Sequence, residues 1–593
     1  MEANKKVAYA IAEAWTEAGL EDVHTLPYEV LLSYPDFNNP NTVTIANTSG
    51  RVIFKSKGLS PVIIPDEQSG KYHVYPKTIW MPNEAVQRGS LMHGDGDPLS
   101  PYYPSKKELF KSRTIDEAKR SGVLPSIPVL PVSYTTAFEI LKRMSGRPAP
   151  TDWQGSVGGN LTYRIGPGFS NGEKLSINVH SELKTKRIRN VIGYIRGSEE
   201  PDRYVMLGNH FDAWAYGSID PNSGTAVLAE VARAMMQTIN ETSWRPARTI
   251  VFNAWDAEEF GLIGSTEFVE EFVNLLQKRA VVYINMDCIQ GNSSLHVDAV
   301  PMLEHIAIEA AKNVANPSKQ ERTRGRKTVY DTWIKTFPNK KTGLPRIRVP
   351  GGSSDHAPFL NFAGVPVINF NFKNITTFDT YPLYHTMYET KFTNIHLMDT
   401  DDLSVHRSVG QYWAELAKKF ADEVILPLNT THLATVMLDS YLPQLKVIIS
   451  GINVSRTDFE TIRTQFALLT KSTQDLLAMS IKFQETMQFT RNSFSQNPYD
   501  SKHVNAVNER LISTEKCFIN PRGVSTHNPS GRHVLFSVSD TDSYSNSMMA
   551  GVQNAIDKYE TAPTKEKLRE IVNQISIVQY SVICVFNTLR DVI

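Results

Sequence analysis

The feature that most constrains the fold is a regular alternation of β-prone and helix-prone segments in the middle of the chain. Such alternation is typical of βαβ units, in which parallel strands lie side by side and helices cover the faces of the sheet. It therefore predicts an α/β fold with a mixed, mostly parallel sheet flanked by helices. The alternating segments are, in chain order, DRYVMLG, SGTAVLAEVARAMMQTI, RTIVFNAW, STEFVEEFVNLLQKR and AVVYINM.

The regions on either side of this alternation have a different character. A chain of 593 residues is too long for one simple core, so we expect several domains. Before the alternation lies a Pro/Gly-rich tract with few long periodic segments, which predicts a β-rich insertion. After it the chain is largely helical, with amphipathic patterns such as DFETIRTQFALLTKSTQDLLAMSIKF. The predicted domains are an α/β domain formed by 1–56 and 185–425, the insertion over 57–184, and a helical domain over 426–593.

The charge balance and the cysteines argue against several classes of function. Lys+Arg and Asp+Glu each number 62, so charge supplies no case for a nucleic-acid partner or an anionic membrane surface. No run of about 18 apolar residues occurs, so we predict no membrane span. Cys288, Cys517 and Cys584 are too few for a disulfide framework and form no CxxC pair. Cys288 lies in an apolar run without a nearby base, which favours a structural thiol over a nucleophile.

Two signals conflict on where the chain resides. The N-terminal segment reads as an amphipathic helix and not as a signal peptide, because it has no uninterrupted apolar core. Seven Asn-x-Ser/Thr motifs, by contrast, are typical of a secreted lineage. The location therefore stays open at this point. The motifs begin at Asn47, Asn160, Asn240, Asn292, Asn374, Asn429 and Asn453.

Acidic and imidazole side chains follow the predicted strands at their carboxyl ends, where ligands bind in open α/β sheets. The first strand ends in LGNHFDAW and leads through YGSIDPNSG into its helix. The second ends in WDAEEFG, the third in NMDC, and a further histidine lies far downstream in YPLYHTMYET. The candidate residues are His210, Asp212, Asp220, Glu258, Glu259, Asp287, Tyr384 and His385.

Imidazole and carboxylate ligands without a thiolate are the ligand set of hydrolytic zinc sites, and paired metals about 4 Å apart typically share one carboxylate. Asp220 is the natural bridge, because it lies in the loop between the first strand and its helix. Glu258, next to a ligand, is the candidate general base that deprotonates a metal-bound water. Asp212 suits a role in orienting the imidazole of His210. The predicted zinc ligands are His210, Asp220, Glu259, Asp287 and His385.

Other interpretations of these residues stay open from the residues alone. A single acid after a strand is more often a helix cap or a surface charge, and a lone histidine is more often a satisfied polar residue. Five such residues at successive strand ends favour a site. His356, in GGSSDHAPF, is the alternative to His385 and ranks second. No HExxH, GxSxG or GxxxxGK motif offers a competing site.

These segments resemble the zinc-binding segments of the glutamate carboxypeptidase II group of the M28 clan, which also includes the catalytically inactive transferrin receptor. The likeness is carried by GNHFDAWAYGSIDPNSGTAVLAE, WDAEEFGLIGSTE, YINMD and YPLYHTMYET, and extends to LPSIPV and EPDRYVMLG. It implies a zinc-peptidase fold with a protease-associated insertion and a C-terminal helical domain that forms a homodimer. In the family pattern, His210 and Asp287 hold one zinc, Glu259 and His385 hold the other, and Asp220 bridges them.

The resemblance also implies a structural calcium ion with ligands at Ser100, Tyr103, Glu267 and Glu270. Oxygen-only ligands suit a hard cation, and Ser100 replaces a threonine of the family pattern. Glu267 and Glu270 stand at i and i+3 and share a helix face. A plain surface helix face is the alternative interpretation of this pair.

The substrate pocket is the part of the pattern that matches least well. The resemblance assigns to it Tyr384, which stabilises the oxyanion, Tyr544 and His533, which hold the C-terminal residue, and Gly261, Ser353 and Ser354. Positions at which the family has a lysine, an asparagine and arginines that bind the substrate carry other residues in this chain. Since bidentate arginines select carboxylates, these changes argue against a strong preference for acidic peptides. The replaced positions carry Ser90, His296, Asn369, Asn371 and Ser543.

The insertion looks about half its family length, because SPVIIPDEQSGKYHVYP runs almost directly into WMPNEAVQRGS. The missing part carries a substrate-binding arginine in the family, whereas every metal ligand lies outside the gap. The resemblance therefore implies a binuclear zinc carboxypeptidase for short peptides, with a metal-bridging hydroxide as nucleophile. Two alternatives stay open: a non-catalytic receptor-like protein and an aminopeptidase of the same clan.

Overall fold

The computed structural model of the chain describes residues 2–57, 82–374, 381–493, 497–524, 530–540 and 548–590. The strands in these ranges are β1 Glu21–Pro35, β2 Thr42–Ala46, β3 Val52–Lys57, β4 Lys174–Asn178, β5 Ser181–Ile195, β6 Glu200–His210, β7 Arg248–Trp255, β8 Ala280–Asn285, β9 Ser294–Ala299 and β10 Val367–Lys373. The first helices are α1 Glu2–Ala18, α2 Ile115–Arg120, α3 Tyr134–Leu141, α4 Asn222–Glu241, α5 Ile263–Arg279, α6 Glu304–Lys312, α7 Lys319–Thr323, α8 Val329–Thr336, α9 His356–Pro358, α10 Lys391–Thr393 and α11 Ser404–Asp422. The C-terminal helices are α12 Thr430–Val436, α13 Leu442–Ser450, α14 Arg456–Asn492, α15 Lys502–Lys516, α16 Ala550–Thr561 and α17 Lys565–Leu589.

The central feature is a seven-stranded sheet in the order β1-β5-β7-β6-β8-β10-β9. The four strands β7, β6, β8 and β10 are parallel neighbours, whereas β1, β5 and β9 pair antiparallel at the two edges. The five alternating segments appear as β6, α4, β7, α5 and β8, so the predicted α/β fold with a mixed sheet is confirmed.

The centre of the sheet is buried on both faces. Every residue of β7 and of β8 is buried, as expected for parallel strands that helices cover on each side. Helices α1 and α11 both pack against α4 over the sheet. The indole of Trp255 donates a hydrogen bond to the hydroxyl of Tyr283 (2.8 Å), whose ring stacks on Phe359 with centroids 3.9 Å apart. Such buried polar groups need a partner, and this pair satisfies itself inside the core.

A small second sheet has the order β3-β2-β4 and is antiparallel throughout. Its strands β2 and β3 come from the first predicted α/β segment, while β4 comes from the predicted insertion. Residues 58–81, with which the insertion begins, lie outside the described residues. The domain boundaries stay a prediction.

The C-terminal region is helical, with α14 and α16 packed along α17. Among the described helices, α17 is the one that is long and apolar enough to cross a membrane, a feature that the prediction of no membrane span did not anticipate. Its buried residues repeat at helical spacing, including Ile571, Ile575, Val578 and Val582. Packing against neighbouring helices therefore accounts for much of its apolar composition.

A disulfide joins Cys517, which follows α15, to Cys584 in α17, with the two Cα atoms 5.6 Å apart. The cysteines were expected to be too few for a disulfide framework, and one bridge is nevertheless present. It forms because α15 packs against α17, which brings together two cysteines 67 residues apart. Cys288 is free and buried, in line with a structural thiol.

Candidate metal centre

Three neighbouring parallel strands deliver the candidate residues to one edge of the sheet. Strand β6 ends at His210, and β8 is followed by Asp287. Between β7 and α5 the chain passes through a turn that carries Glu258 and Glu259. Asp220 lies just before α4. Because the carboxyl ends of parallel strands meet at the same edge, these side chains converge as the sequence predicted.

The ligand atoms form two groups that share one carboxylate. The Nε2 atom of His210 lies 3.2 Å from Oδ1 of Asp220 and 3.2 Å from Oδ1 of Asp287. The Nε2 atom of His385 lies 3.4 Å from Oδ2 of Asp220 and 3.0 Å from Oε2 of Glu259. Asp220 thus faces both imidazoles, one with each oxygen.

His356, the alternative to His385, belongs to neither group. Its ring is fully buried, and its Nε2 contacts the main-chain oxygen of Gly351 (2.9 Å). The structure brings together all five predicted ligands, and it leaves this histidine as a hydrogen-bonded part of the interior.

The pKa shifts of the two groups indicate that buried carboxylates lie close together and would be stabilised by a cation. Burial, together with the charge of Asp220, raises the pKa of Glu259 to about 8. Burial also acts against the charged form of Asp220, but hydrogen bonds from His210 and His385 outweigh it and lower the pKa of this carboxyl. Hydrogen bonds to Asp220 and Glu259 outweigh the burial of His385 and raise its pKa to about 10. Without a cation the carboxylates rely on protons held by the imidazoles.

The donor set fits zinc. Each group offers one imidazole and two carboxylates and no thiolate, and all of these residues except the half-buried Asp287 are buried. The Oε1 atom of Glu259 is buried and has no hydrogen-bond partner within the described residues. Three protein ligands of this type, with room for water or substrate, are typical of catalytic zinc sites.

The turn after β7 presents Glu258 to the cleft. Ala257 (φ 62°) and Leu262 (φ 50°) both adopt left-handed backbone conformations, which are costly for residues other than glycine and concentrate at functional sites. The carboxylate of Asp212 holds the turn, because it accepts hydrogen bonds from the main-chain N–H groups of Glu258 (2.9 Å) and Glu259 (3.3 Å).

Asp212 also contacts the predicted ligand two residues before it, but mainly through its backbone. The Nδ1 atom of His210 lies 3.1 Å from the main-chain oxygen of Asp212 and 3.7 Å from its carboxylate. One residue therefore orients an imidazole and holds the acidic turn at the same time.

Glu258 has the environment of a proton-transfer group. Burial raises its pKa well above the usual value of a glutamate, His210 opposes the shift, and Asp287 and Asp355 add to it. No hydrogen bond ties its carboxylate within the part of the chain that the structure describes. A buried carboxylate with a raised pKa and no fixed partner is suited to taking up and releasing a proton.

Sequence reasoning missed Glu389, a buried carboxylate that positions two ligands. Its Oε1 accepts hydrogen bonds from the main-chain N–H of His385 (2.9 Å) and from the hydroxyl of Tyr381 (2.6 Å). Its Oε2 accepts a hydrogen bond from the main-chain N–H of Asp220 (3.0 Å). The residue lies in the quoted segment YPLYHTMYET, yet no spacing rule links it to Asp220, 169 residues away in sequence.

Two further contacts hold the ligands in place. The Nδ1 atom of His385 lies 2.8 Å from the main-chain oxygen of Arg88, whose N–H donates back to the oxygen of His385 (3.1 Å). The hydroxyl of Ser354 donates to Oδ2 of Asp287 (2.5 Å). Ser354, which was predicted to bind substrate, thus lines the cleft and also contacts a predicted metal ligand.

The metal centre opens into a cleft of about 1050 Å³ between the sheet edge and the helical region. Gly261, Ser353 and Ser354 line it, together with Tyr384, whose ring stacks on His385 with centroids 3.6 Å apart. Tyr441, Met548 and Gln553 contribute the wall from the helical region.

Of the two remaining pocket residues of the prediction, His533 does not line the described cleft. His533 is fully buried, stacks on Phe536, and contacts Oε1 of Glu515 at 2.9 Å. Its ring therefore belongs to the interior of the helical region. Tyr544, with its neighbour Ser543, lies outside the described residues.

Two cationic side chains that the sequence analysis did not anticipate line the cleft. Ser90, Asn369 and Asn371 line it without charge, as their types require, but Arg348 and Lys373 line it too. The Nε atom of Arg348 lies 2.9 Å from the buried carboxylate of Asp298. Two cationic side chains therefore line the cleft, at positions other than those where the family has its cations. Their presence weakens the argument against a preference for acidic peptides.

The predicted calcium ligands lie where α5 meets the segment 97–105. Glu267 accepts hydrogen bonds from the main-chain N–H groups of Asp97 (2.7 Å) and Ser105 (2.5 Å). Glu270 accepts one from Tyr102 (2.6 Å), and its other oxygen is buried without a partner within the described residues. The two carboxylates thus hold the segment that contains Ser100 and Tyr103 against the helix.

The side-chain hydroxyls of Ser100 and Tyr103 are engaged elsewhere. The hydroxyl of Ser100 donates to Asp97 (3.1 Å), and that of Tyr103 donates to the main-chain oxygen of Phe110 (2.5 Å).

The central strands of the sheet are parallel, and imidazole and carboxylate groups that could hold metal ions lie together at their carboxyl ends. This combination is typical of an α/β metallohydrolase. Residues 190–404 match the Peptidase family M28 model, and residues 457–590 match the Transferrin receptor-like dimerisation domain model. The chain belongs to peptidase family M28 and carries this dimerisation domain.

The curated relatives agree with this assignment. The Glutamate carboxypeptidase 2 homologs of Caenorhabditis briggsae and Caenorhabditis elegans are 74% and 72% identical over 677 aligned residues, which cover 100% of this chain and 88% of each relative. Aminopeptidase NAALADL1 of Mus musculus is 32% identical, over 87% of this chain and 68% of its own length. The first two alignments are longer than the 593 residues of this chain, so these relatives hold internal residues that it lacks.

Proposed function

We propose that the chain is a binuclear zinc peptidase that releases the C-terminal residue of short peptides. The observation that carries this proposal is the position of Asp220, whose two oxygens face the two imidazoles from opposite groups. A carboxylate shared in this way is the arrangement that co-catalytic metal pairs use. Two curated relatives bear the name Glutamate carboxypeptidase 2 homolog, which supports a carboxypeptidase.

In this proposal His210 and Asp287 would hold one zinc, Glu259 and His385 would hold the other, and Asp220 would offer one oxygen to each. Zinc in such a site acts as a Lewis acid on the scissile carbonyl and makes water acidic enough to ionise near neutral pH. The described contacts of Asp212, Glu389 and Arg88 with these residues support the metal centre by fixing the ligands before binding.

The chain's own residues move the proton and hold the substrate. Glu258 takes a proton from the attacking water and returns it to the leaving amine, a role that its raised pKa and free carboxylate support. The hydroxyl of Tyr384 donates a hydrogen bond to the oxyanion that develops on the substrate. Stacking on His385 supports this role, because it fixes the ring beside the metal centre.

An aminopeptidase is the second candidate, favoured by the relative that bears the name Aminopeptidase NAALADL1. The two activities differ in which end of the peptide must be free. A receptor-like, non-catalytic protein is the third reading, and the presence of all five ligands and Glu258 argues against it.

The test is to measure zinc in the purified chain by mass spectrometry and to assay cleavage of N-blocked and C-amidated peptides. We expect about two zinc ions per chain, cleavage of N-blocked peptides and none of C-amidated ones. The opposite preference establishes the aminopeptidase. Absence of zinc refutes the enzyme proposal altogether.

We also propose that Glu267 and Glu270 bind calcium, and this proposal predicts a pH-dependent stabilisation. Burial and then the charge of Asp97 raise the pKa of Glu267 to about 8, and burial and then Glu267 raise that of Glu270. In calcium-free protein these carboxyls stabilise the fold fully only below the unfolded value of 4.5, and the contribution is lost as the pH rises through about 8.

Calcium at 100 times its dissociation constant should therefore stabilise the protein by about 2.7 kcal/mol at pH 8, and by much less at pH 5, where protons occupy the site. Thermal unfolding with calcium and with chelator at both pH values measures this difference. The Glu270→Gln variant is the control and should lose the calcium response. An equal calcium effect at pH 5 and pH 8 contradicts the proposal.

The helical region carries exposed apolar side chains that suit the proposed homodimer. Phe489 on α14 is 68% exposed and Tyr580 on α17 is 71% exposed, with Leu468, Ile481 and Ile583 exposed on the same two helices. These residues fall within 457–590, the range that matches the dimerisation domain. Sedimentation equilibrium should give a dimer that Phe489→Asp weakens; a monomeric wild-type chain contradicts the proposal.

A further inference from the structure

Asp95 is an acidic residue of the cleft that the metal centre does not use. It lies between Gly94 (φ 124°) and Gly96 (φ 81°), and an added Cβ at Gly96 would meet the side chain of Thr266 at 2.6 Å. Both glycines are therefore needed for the path of this loop. The loop presents Asp95 to the same cleft as Glu258 and the metal ligands.

The loop is fixed against the turn that carries the proposed base. The N–H of Gly96 donates to the main-chain oxygen of Gly261 (3.0 Å), and the N–H of Gly261 donates to the oxygen of Glu258 (2.8 Å). Gly94 also lies close to Gly261, because its main-chain oxygen is 3.3 Å from the position that a Cβ added at Gly261 would take. Asp95 lies between Gly94 and Gly96, so its backbone lies beside the turn that carries Glu258.

The carboxylate of Asp95 has no partner within the part of the chain that the structure describes. Two other acids of the cleft are engaged: Asp298 pairs with Arg348 (2.9 Å), and Glu304 pairs with His432 (2.8 Å). Asp95, by contrast, makes no described hydrogen bond or ion pair, although it is partly buried. Burial alone raises its pKa to about 7, because no cation offsets the loss of water.

We infer that Asp95 binds a positively charged amine of the peptide substrate and selects peptides that carry one near the scissile bond. A carboxylate that has lost part of its water is stabilised by a cation that enters with the ligand, and such charge-assisted bonds are the strong ones. This inference rests on the proposed peptidase function and names a ligand class for its cleft. The amine is either the free α-amino group of a short peptide or a lysine side chain.

The test measures binding in the Glu258→Gln background, so that it does not depend on turnover. Calorimetric titrations compare Ala-Ala with acetyl-Ala-Ala, and acetyl-Ala-Lys with acetyl-Ala-Gln, in proteins with and without Asp95→Asn. We expect Asp95→Asn to weaken binding of the amine-bearing member of one pair by about 10- to 100-fold, and to change its neutral partner far less. The pair that responds identifies the source of the amine.

Asp439→Asn is the matched control. Asp439 is an exposed acid in the wall from the helical region of the same cleft, so its loss tests the general charge of the cleft without removing the proposed contact. A loss of amine preference in Asp439→Asn equal to that in Asp95→Asn, or an unchanged preference in Asp95→Asn, overturns the inference. Failure of wild-type protein to cleave any peptide overturns the proposed function instead, and these binding data still test Asp95.

Discussion

Replacing Glu258 by glutamine should lower kcat by about 100- to 10,000-fold and leave the zinc content unchanged, because general acid–base groups contribute about this much to the rate. Glutamine has nearly the shape of glutamate but cannot accept the proton. The main-chain contacts of Glu258 with Asp212, Gly261 and Leu262 do not depend on the side chain, so the turn is expected to persist. The measurement is kcat on an N-blocked dipeptide together with zinc by mass spectrometry.

Glu259→Gln is the matched control, since it makes the same change one residue further along the turn. Its carboxylate lies 3.0 Å from the imidazole of His385, in the group that we assign to the second zinc. This variant should therefore lose metal as well as activity. A Glu258→Gln protein that loses zinc, or that keeps its turnover, contradicts the assignment of Glu258 as base.

Replacing Asp220 by alanine should remove both zinc ions, whereas Asp287→Ala should remove one. Each affinity is expected to fall by at least about 100-fold, the upper end of what loss of a supporting residue costs, because a direct ligand is lost. Alanine retains the N–H that donates to Glu389, so the main-chain position of the loop is preserved. The two variants therefore differ in how many metal groups lose a ligand.

Zinc titration of metal-free protein, monitored by calorimetry, counts the sites and gives their affinities. We expect no strong site in Asp220→Ala and one in Asp287→Ala. Circular dichroism of both variants checks that the fold is retained. One strong site remaining in Asp220→Ala shows that the carboxylate is not shared and contradicts the binuclear arrangement.

The surroundings of His533 show what a family pattern leaves open. His533 was assigned to the substrate pocket by position in a family pattern, yet the structure places it against Glu515, where both side chains are fully buried. A pattern records that a histidine belongs at this position. It does not record which neighbours surround the ring, because they come from packing between α15 and the segment after it.

The sequence by itself determined the α/β class and the convergence of the ligands. Strand–helix alternation is a local property, and parallel strands then bring their carboxyl ends to one edge wherever the chain continues. This is why His210, Glu259 and Asp287 could be read from the ends of three segments.

Only the tertiary structure decided which groups surround that edge. Glu389 binds the main chain of Asp220, which is 169 residues away in sequence, and Cys517 is bonded to Cys584, which is 67 residues away. Asp95 lines the cleft from a loop that precedes the central strands in the chain. Contacts of this kind follow no period along the chain. They depend on how distant segments pack, which local propensity and spacing do not encode.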